Sequence, residues 1–163
     1  MRKIFYLVVL IFVVTFGATY ADNFNLIQET KAVESSKTIA SHTNEEFDWE
    51  PVINAIIQVE SKGNTNAISK DQKCVGVLQI QKIVVDDCNE YLTNVLKSKQ
   101  RFNYDDRYDK DKSIEMFILI QKRYNKSNNI EKAIRLWNGG CGYSIPKTQN
   151  YYEKVMKCYK AQD

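Results

Sequence analysis

The chain has 163 residues, enough for one compact domain with some sequence to spare. Hydrophobic residues make up 44% and charged residues 26%, an ordinary globular balance that excludes a disordered or collagen-like chain. A formal net charge of +3 favours approach to an anionic polymer but is too small to argue for nucleic acid.

The N-terminus reads as a targeting segment. Arg2 and Lys3 supply a positive start, Ile4 to Phe16 is almost wholly apolar, and Gly17, Ala18, Thr19 and Ala21 supply small residues. This is the layout of a signal peptide over residues 1–21, cut after Ala21. The alternative is an uncleaved anchor, but the apolar run is short of the roughly 20 residues a spanning helix needs. An exported protein is expected, periplasmic or extracellular after cleavage, touching the membrane only through this segment. Residues 22–45 are polar and aperiodic, with Ser35, Ser36, Thr38, Ser41, Thr43 and Asn44, and read as a linker. The folded domain is expected over residues 46–163.

Four helical patterns follow. The first starts near Asp48, a plausible N-cap, with Pro51 where its missing N–H is harmless. Val52, Ile53, Ile56 and Ile57 form its apolar stripe, and Lys62-Gly63-Asn64 ends it. The second covers Lys110 to Tyr124, with Ile114, Phe117, Ile118, Gln121 and Tyr124 on one side. The third covers Ile130 to Trp137 and stops at Gly139 and Gly140. The fourth runs from Thr148 to Tyr159, with Tyr151, Tyr152, Val155, Met156 and Tyr159 on its apolar side. Between Cys74 and Leu96 the pattern allows one or two short helices after a small β-turn segment. The expected class is mainly α, a compact helical domain with little or no β-structure.

In an oxidising compartment four cysteines (Cys74, Cys88, Cys141 and Cys158) point to disulfides. Three pairings are open, and free buried thiols are the alternative. Cys74–Cys88 and Cys141–Cys158 would each close a local loop. No CxxC occurs, and His42, the only histidine, lies in the polar linker. That disfavours a zinc site, and with it serine- or cysteine-protease chemistry.

Glu60 breaks its helix's pattern. Seven residues on from Ile53, four from Ile56 and three from Ile57 all arrive at Glu60, so a carboxylate occupies an apolar position. It also lies in the last turn, where backbone carbonyls oppose a negative charge. Both surroundings raise its pKa, as a general acid requires. A Glu that simply turns to solvent is the bland alternative.

The residues around it form an ordered series: Val59-Glu60-Ser61, then Val75-Gly76-Val77-Leu78-Gln79-Ile80, then Leu136-Trp137-Asn138-Gly139-Gly140, then Thr148-Gln149-Asn150-Tyr151. This resembles the soluble lytic transglycosylase (SLT) family, with its E-S pair, G-L-M-Q, A-Y-N-A-G and T-x-N-Y segments in that order. The resemblance implies a lysozyme-like domain with a substrate cleft, related to goose-type lysozyme. It implies Glu60 as the catalytic acid/base and Ser61 as the serine that orients that carboxyl or the substrate's acetamido group. Gly76 would let the backbone approach the glycan, and the Gln79 amide would bond sugar hydroxyls. Asn138 would meet an acetamido or hydroxyl group, and Tyr151 would hydrogen-bond the carboxyl from a facing helix. Leu78 replaces the family's methionine, Trp137 its tyrosine and Gly139 its alanine. Leu136 stands for another alanine, and Cys74 lies where a small-residue turn is usual.

The resemblance implies peptidoglycan glycan strands as substrate and no cofactor. Only one carboxylate falls in these segments; Asp71, Asp86 and Asp87 fit no pattern. Ordinary glycosidases use two, so a substrate-assisted route is expected, with a 1,6-anhydro product. The alternatives are a hydrolytic lysozyme on the same fold and a wall-binding or assembly module without turnover. Wall turnover, secretion or conjugation machinery and phage infection are all settings such domains serve.

Overall fold

The computed structural model describes residues 47–162; the expected signal peptide and linker lie outside the described residues. Five α-helices build the described part: α1 Glu50–Glu60, α2 Lys82–Asn94, α3 Lys110–Tyr124, α4 Ile130–Gly139 and α5 Ile145–Lys160. No strand forms among the described residues. The only β-pairing there is two isolated antiparallel bridges, Ile68 with Val75 and Val75 with Ile80.

The apolar stripe of α1 is buried as its spacing implies: Val52, Ile53, Ala55, Ile56 and Ile57 face the core. Its start differs from expectation. Trp49, not Asp48, occupies the N-cap position, and the Asp48 carboxylate accepts from the Glu50 N–H at 2.9 Å, one residue too early. Trp49 is drawn in by packing, with its ring 4.5 Å from Phe47 and edge-on to Phe117 at 5.8 Å. The helix ends where Lys62 turns left-handed (φ 55°) and its N–H reaches back to the Ile57 carbonyl at 3.0 Å.

Residues 82–94, left open by the periodicity, form α2. Only Val85, Cys88 and Leu92 are buried on it, a stripe too thin to stand out among its polar neighbours. Both ends of α3 match the expected span, but its buried face is turned by one residue. Ser113, Met116, Phe117, Ile120 and Gln121 point inward, while Ile114, Ile118 and Tyr124 are only half-buried. Ser113, a polar residue inside that stripe, disguised its phase. Before α3, a 3-10 turn at Tyr104–Tyr108 is held by Asn103 and Asp106, each bonding the other's backbone N–H. The last helix, α5, begins three residues ahead of Thr148, with Pro146 in its first turn.

The four cysteines are free thiols, which corrects the expected disulfides among Cys74, Cys88, Cys141 and Cys158. Cys88 instead fills the core, its Sγ 3.6 Å from the Met116 carbonyl. Burial pushes its thiol up to about 12, so it is a packing residue rather than a reactive one. Cys141 is exposed in the turn after α4.

Candidate functional site

Helix α1 packs chiefly against α5, which also packs on α4. This brings Tyr151 opposite the last residue of α1, and its hydroxyl donates to Glu60 Oε1 at 2.6 Å. Desolvation raises the Glu60 pKa, and the Tyr151 hydrogen bond opposes it only in part. Burial, together with the charge and hydrogen bond of Glu60, pushes the tyrosine hydroxyl far above its ordinary range, so Tyr151 stays a donor. Oε2 of Glu60 bonds to no other described residue, which leaves one oxygen free to carry a proton.

The segment joining α1 to α2 turns back beside this carboxyl, and several motif residues build it. Ser61 Oγ donates to the Val77 carbonyl at 2.8 Å, fixing the segment to the end of α1. Trp137 Nε1 donates to the Leu78 carbonyl at 3.2 Å, fixing it to α4. The Trp137 ring lies 5.0 Å from Phe117, so it anchors against the core. Gln79, held at φ 50°, donates through Nε2 to the carbonyls of Ala67 and Gly76 at 3.2 and 2.9 Å. Gly76 is buried at φ 76°, and a Cβ there would stand 1.8 Å from the Arg107 carbonyl. The close approach at Gly76 is therefore to the protein's own backbone. Gly139 is also confined, because an added Cβ would stand 2.6 Å from Tyr143 Cβ.

Asn138 differs from these. It is exposed, and its amide bonds to no other described residue. With Gln79, Trp137 and Gly140 it lines a groove of about 360 Å³ that continues along Gln81 and along Ile83 and Val84 of α2. Glu60 and Tyr151 lie outside that lining. The groove also contains Asp87 and Tyr124, which sequence reasoning had not assigned. Tyr124 donates to Asp87 at 3.0 Å, and Arg123 pairs with Asp87 at 2.8 Å. Burial and this contact push the Tyr124 hydroxyl up to about 12. The signal was the Val85, Cys88 and Leu92 spacing, which orients Asp87 once α2 is recognised as a helix.

The three unpatterned carboxylates are engaged elsewhere. Asp71 is exposed and accepts from Ser69 at 2.6 Å, Asp86 accepts from Tyr104 at 3.0 Å, and Asp87 is paired with Arg123. None bonds Glu60. Among the described residues no group of three or more His, Cys, Asp or Glu converges as metal ligands.

A family model for the transglycosylase SLT domain matches residues 37–159. The chain belongs to this family. The SLT domain carries lytic transglycosylase activity on peptidoglycan, and its lysozyme-like fold is the helical arrangement described above. The match starts at residue 37, within the segment whose composition reads as a linker. No curated protein and no solved structure matches the chain.

Proposed function

We propose that this SLT domain cleaves the β-1,4 bond between N-acetylmuramic acid and N-acetylglucosamine, with Glu60 as its single acid/base. The observation that carries the proposal is the buried Glu60 carboxyl held by Tyr151 across 91 residues of sequence. Protonated Glu60 donates its proton to the glycosidic oxygen, and the C1–O bond breaks. The leaving N-acetylglucosamine keeps that proton as a hydroxyl. The muramic acetamido carbonyl stabilises the cation at C1. Glu60, now a carboxylate, removes the proton from the C6 hydroxyl, and that oxygen bonds to C1. The product is a 1,6-anhydro sugar, no water is consumed, and Glu60 ends protonated as it began.

Asn138 faces the groove with an uncommitted amide and is the residue we assign to a sugar acetamido or hydroxyl group. Ser61, Gly76 and Gln79 act at one remove, by shaping the segment that walls the site. The N-terminal basic-then-apolar sequence supports export, which brings the enzyme to its polymer. Digestion of purified peptidoglycan read by mass spectrometry tests the proposal. Wild type should release anhydro-muropeptides, and Glu60→Gln should lower the rate by about 10²–10⁴-fold. A reducing-end product, heavier by one water, would instead show a hydrolytic lysozyme. Unchanged lysis by Glu60→Gln would remove Glu60 from the chemistry.

A further inference from the structure

The apolar stripe of α2 outruns the core. Val85, Cys88 and Leu92 are buried on it, and the same spacing of three or four residues arrives next at Val95 and Leu96. These two are 60% and 46% exposed. Single exposed aliphatics are ordinary. Here two branched side chains stand together at a helix end, and a basic loop follows them directly: Lys97-Ser98-Lys99-Gln100-Arg101, without helix or strand.

Alternation sorts the side chains of this loop. Ser98 is half-buried, its N–H bonding the Leu92 carbonyl at 2.9 Å, and the Gln100 amide donates to Glu115 of α3. Lys97, Lys99 and Arg101 are exposed. Arg101 Nη1 folds back onto the Ser98 carbonyl at 2.9 Å and onto the Gln100 carbonyl, which braces the loop. Lys97 and Lys99 have no ion-pair partner among the described residues. Glu115, the carboxylate that bonds the loop, is already paired with Lys112 at 3.3 Å. Nor do the lysines serve the end of α2. The Tyr91 carbonyl accepts from the Val95 and Leu96 N–H groups, and the Leu92 carbonyl from Ser98. Lys97 even sits at φ 52°, a left-handed position where glycine would be unstrained. Local structure gives no use for a lysine there.

We propose that residues 95–101 dock the domain onto an anionic phospholipid surface. The cations meet lipid phosphates, and Val95 and Leu96 enter the apolar layer beneath them. A hydrated anionic polymer would engage the cations and leave the aliphatics in water, so lipid fits both halves of the patch. This is a second membrane contact, separate from the N-terminal apolar segment. Helix α2 has 13 residues, a length of about 20 Å, and Ile83 and Val84 line the groove at its other end. Docking through the loop therefore keeps the groove within about 20 Å of the lipid and directs cleavage to the strands nearest the membrane.

Vesicle co-sedimentation tests this on the chain from Asp22 onward, the form left by cleavage after Ala21, which lacks the apolar segment and keeps the whole described domain. Wild type should bind vesicles of equal phosphatidylglycerol and phosphatidylcholine, ignore pure phosphatidylcholine, and come off as salt rises. Lys97→Ser/Lys99→Ser should weaken binding about 25-fold, roughly fivefold for each cation. Val95→Ser/Leu96→Ser should weaken it about tenfold. Both variants change exposed side chains, and their melting temperatures should match wild type. Leu96→Trp keeps an apolar side chain, and its emission should shift to the blue on the mixed vesicles alone. No binding to mixed vesicles, equal binding to both lipids, or an emission indifferent to lipid would overturn the proposal. Full binding by Val95→Ser/Leu96→Ser would also overturn it, and would assign the cations to a soluble anionic polymer instead.

Discussion

The proton on Glu60 is governed by two opposed influences, and each can be removed alone. Burial raises its pKa and the Tyr151 hydroxyl lowers it. Tyr151→Phe removes the lowering influence, so the alkaline limb of the pH–rate profile should move to higher pH. The rate itself should fall by about 10- to 100-fold as the carboxyl loses its orientation. The raised pKa also acts on stability. A folded-state pKa above the unfolded one contributes stability fully present below the unfolded value and lost as pH rises through the folded value. At neutral pH wild type therefore carries a penalty that Glu60→Gln lacks. The variant should melt at a higher temperature than wild type at pH 7, and the gap should close as pH falls to about 4, near the ordinary glutamate value.

Between α1 and α2, residues 61–81 carry Ser61 and the whole Val75–Ile80 motif segment while forming no helix or strand of their own. Their shape depends on a few tertiary bonds: Ser61 to Val77, Trp137 to Leu78, and Gln79 to Ala67 and Gly76. The narrowest point is Gly76 against the Arg107 carbonyl, which is itself held by the Ser113 hydroxyl at 2.9 Å. Gly76→Ala combines a left-handed backbone with a backbone clash and should cost about 3 kcal/mol in denaturant unfolding. Ser61→Ala leaves the Val77 carbonyl unpaired and should cost about 1 kcal/mol. It should raise KM more than it changes the pH profile, because Ser61 shapes the wall and does not bond the Glu60 carboxyl.

At the scale of the domain, Phe117 of α3 is fully buried between the rings of Trp49 and Trp137. That triad links the start of α1 to the Trp137 anchor of the site. Phe117→Ala should cost about 3–5 kcal/mol and loosen the site wall along with the core. The cysteines add no covalent link among the described residues. Adding reductant should leave the melting temperature unchanged, whereas a native disulfide would contribute about 2–5 kcal/mol to be lost. Thiol titration of the denatured chain should count four groups, one for each of its cysteines.

Much of this was legible in the chain itself because it is local. The α1 stripe, the ends of α3, the glycine stop after α4 and the misplaced carboxylate at Glu60 all follow from spacings of three, four and seven residues. The order of the four motif segments then pointed to the family. What tertiary structure alone decided is non-local. The phase of α3 was set by Ser113, a polar residue that faces inward, and α2 was hidden because packing asks only three buried positions of it. The even cysteine count suggested bridges, but proximity decides pairing, and these thiols stand free. The resemblance assigned Gly76 and Gln79 to the glycan and Ser61 to the Glu60 carboxyl or a substrate acetamido group. In the structure the Ser61 and Gln79 donors bond the protein's own backbone and Gly76 meets the Arg107 carbonyl, because an irregular segment must satisfy its buried carbonyls; Gln79 still lines the groove.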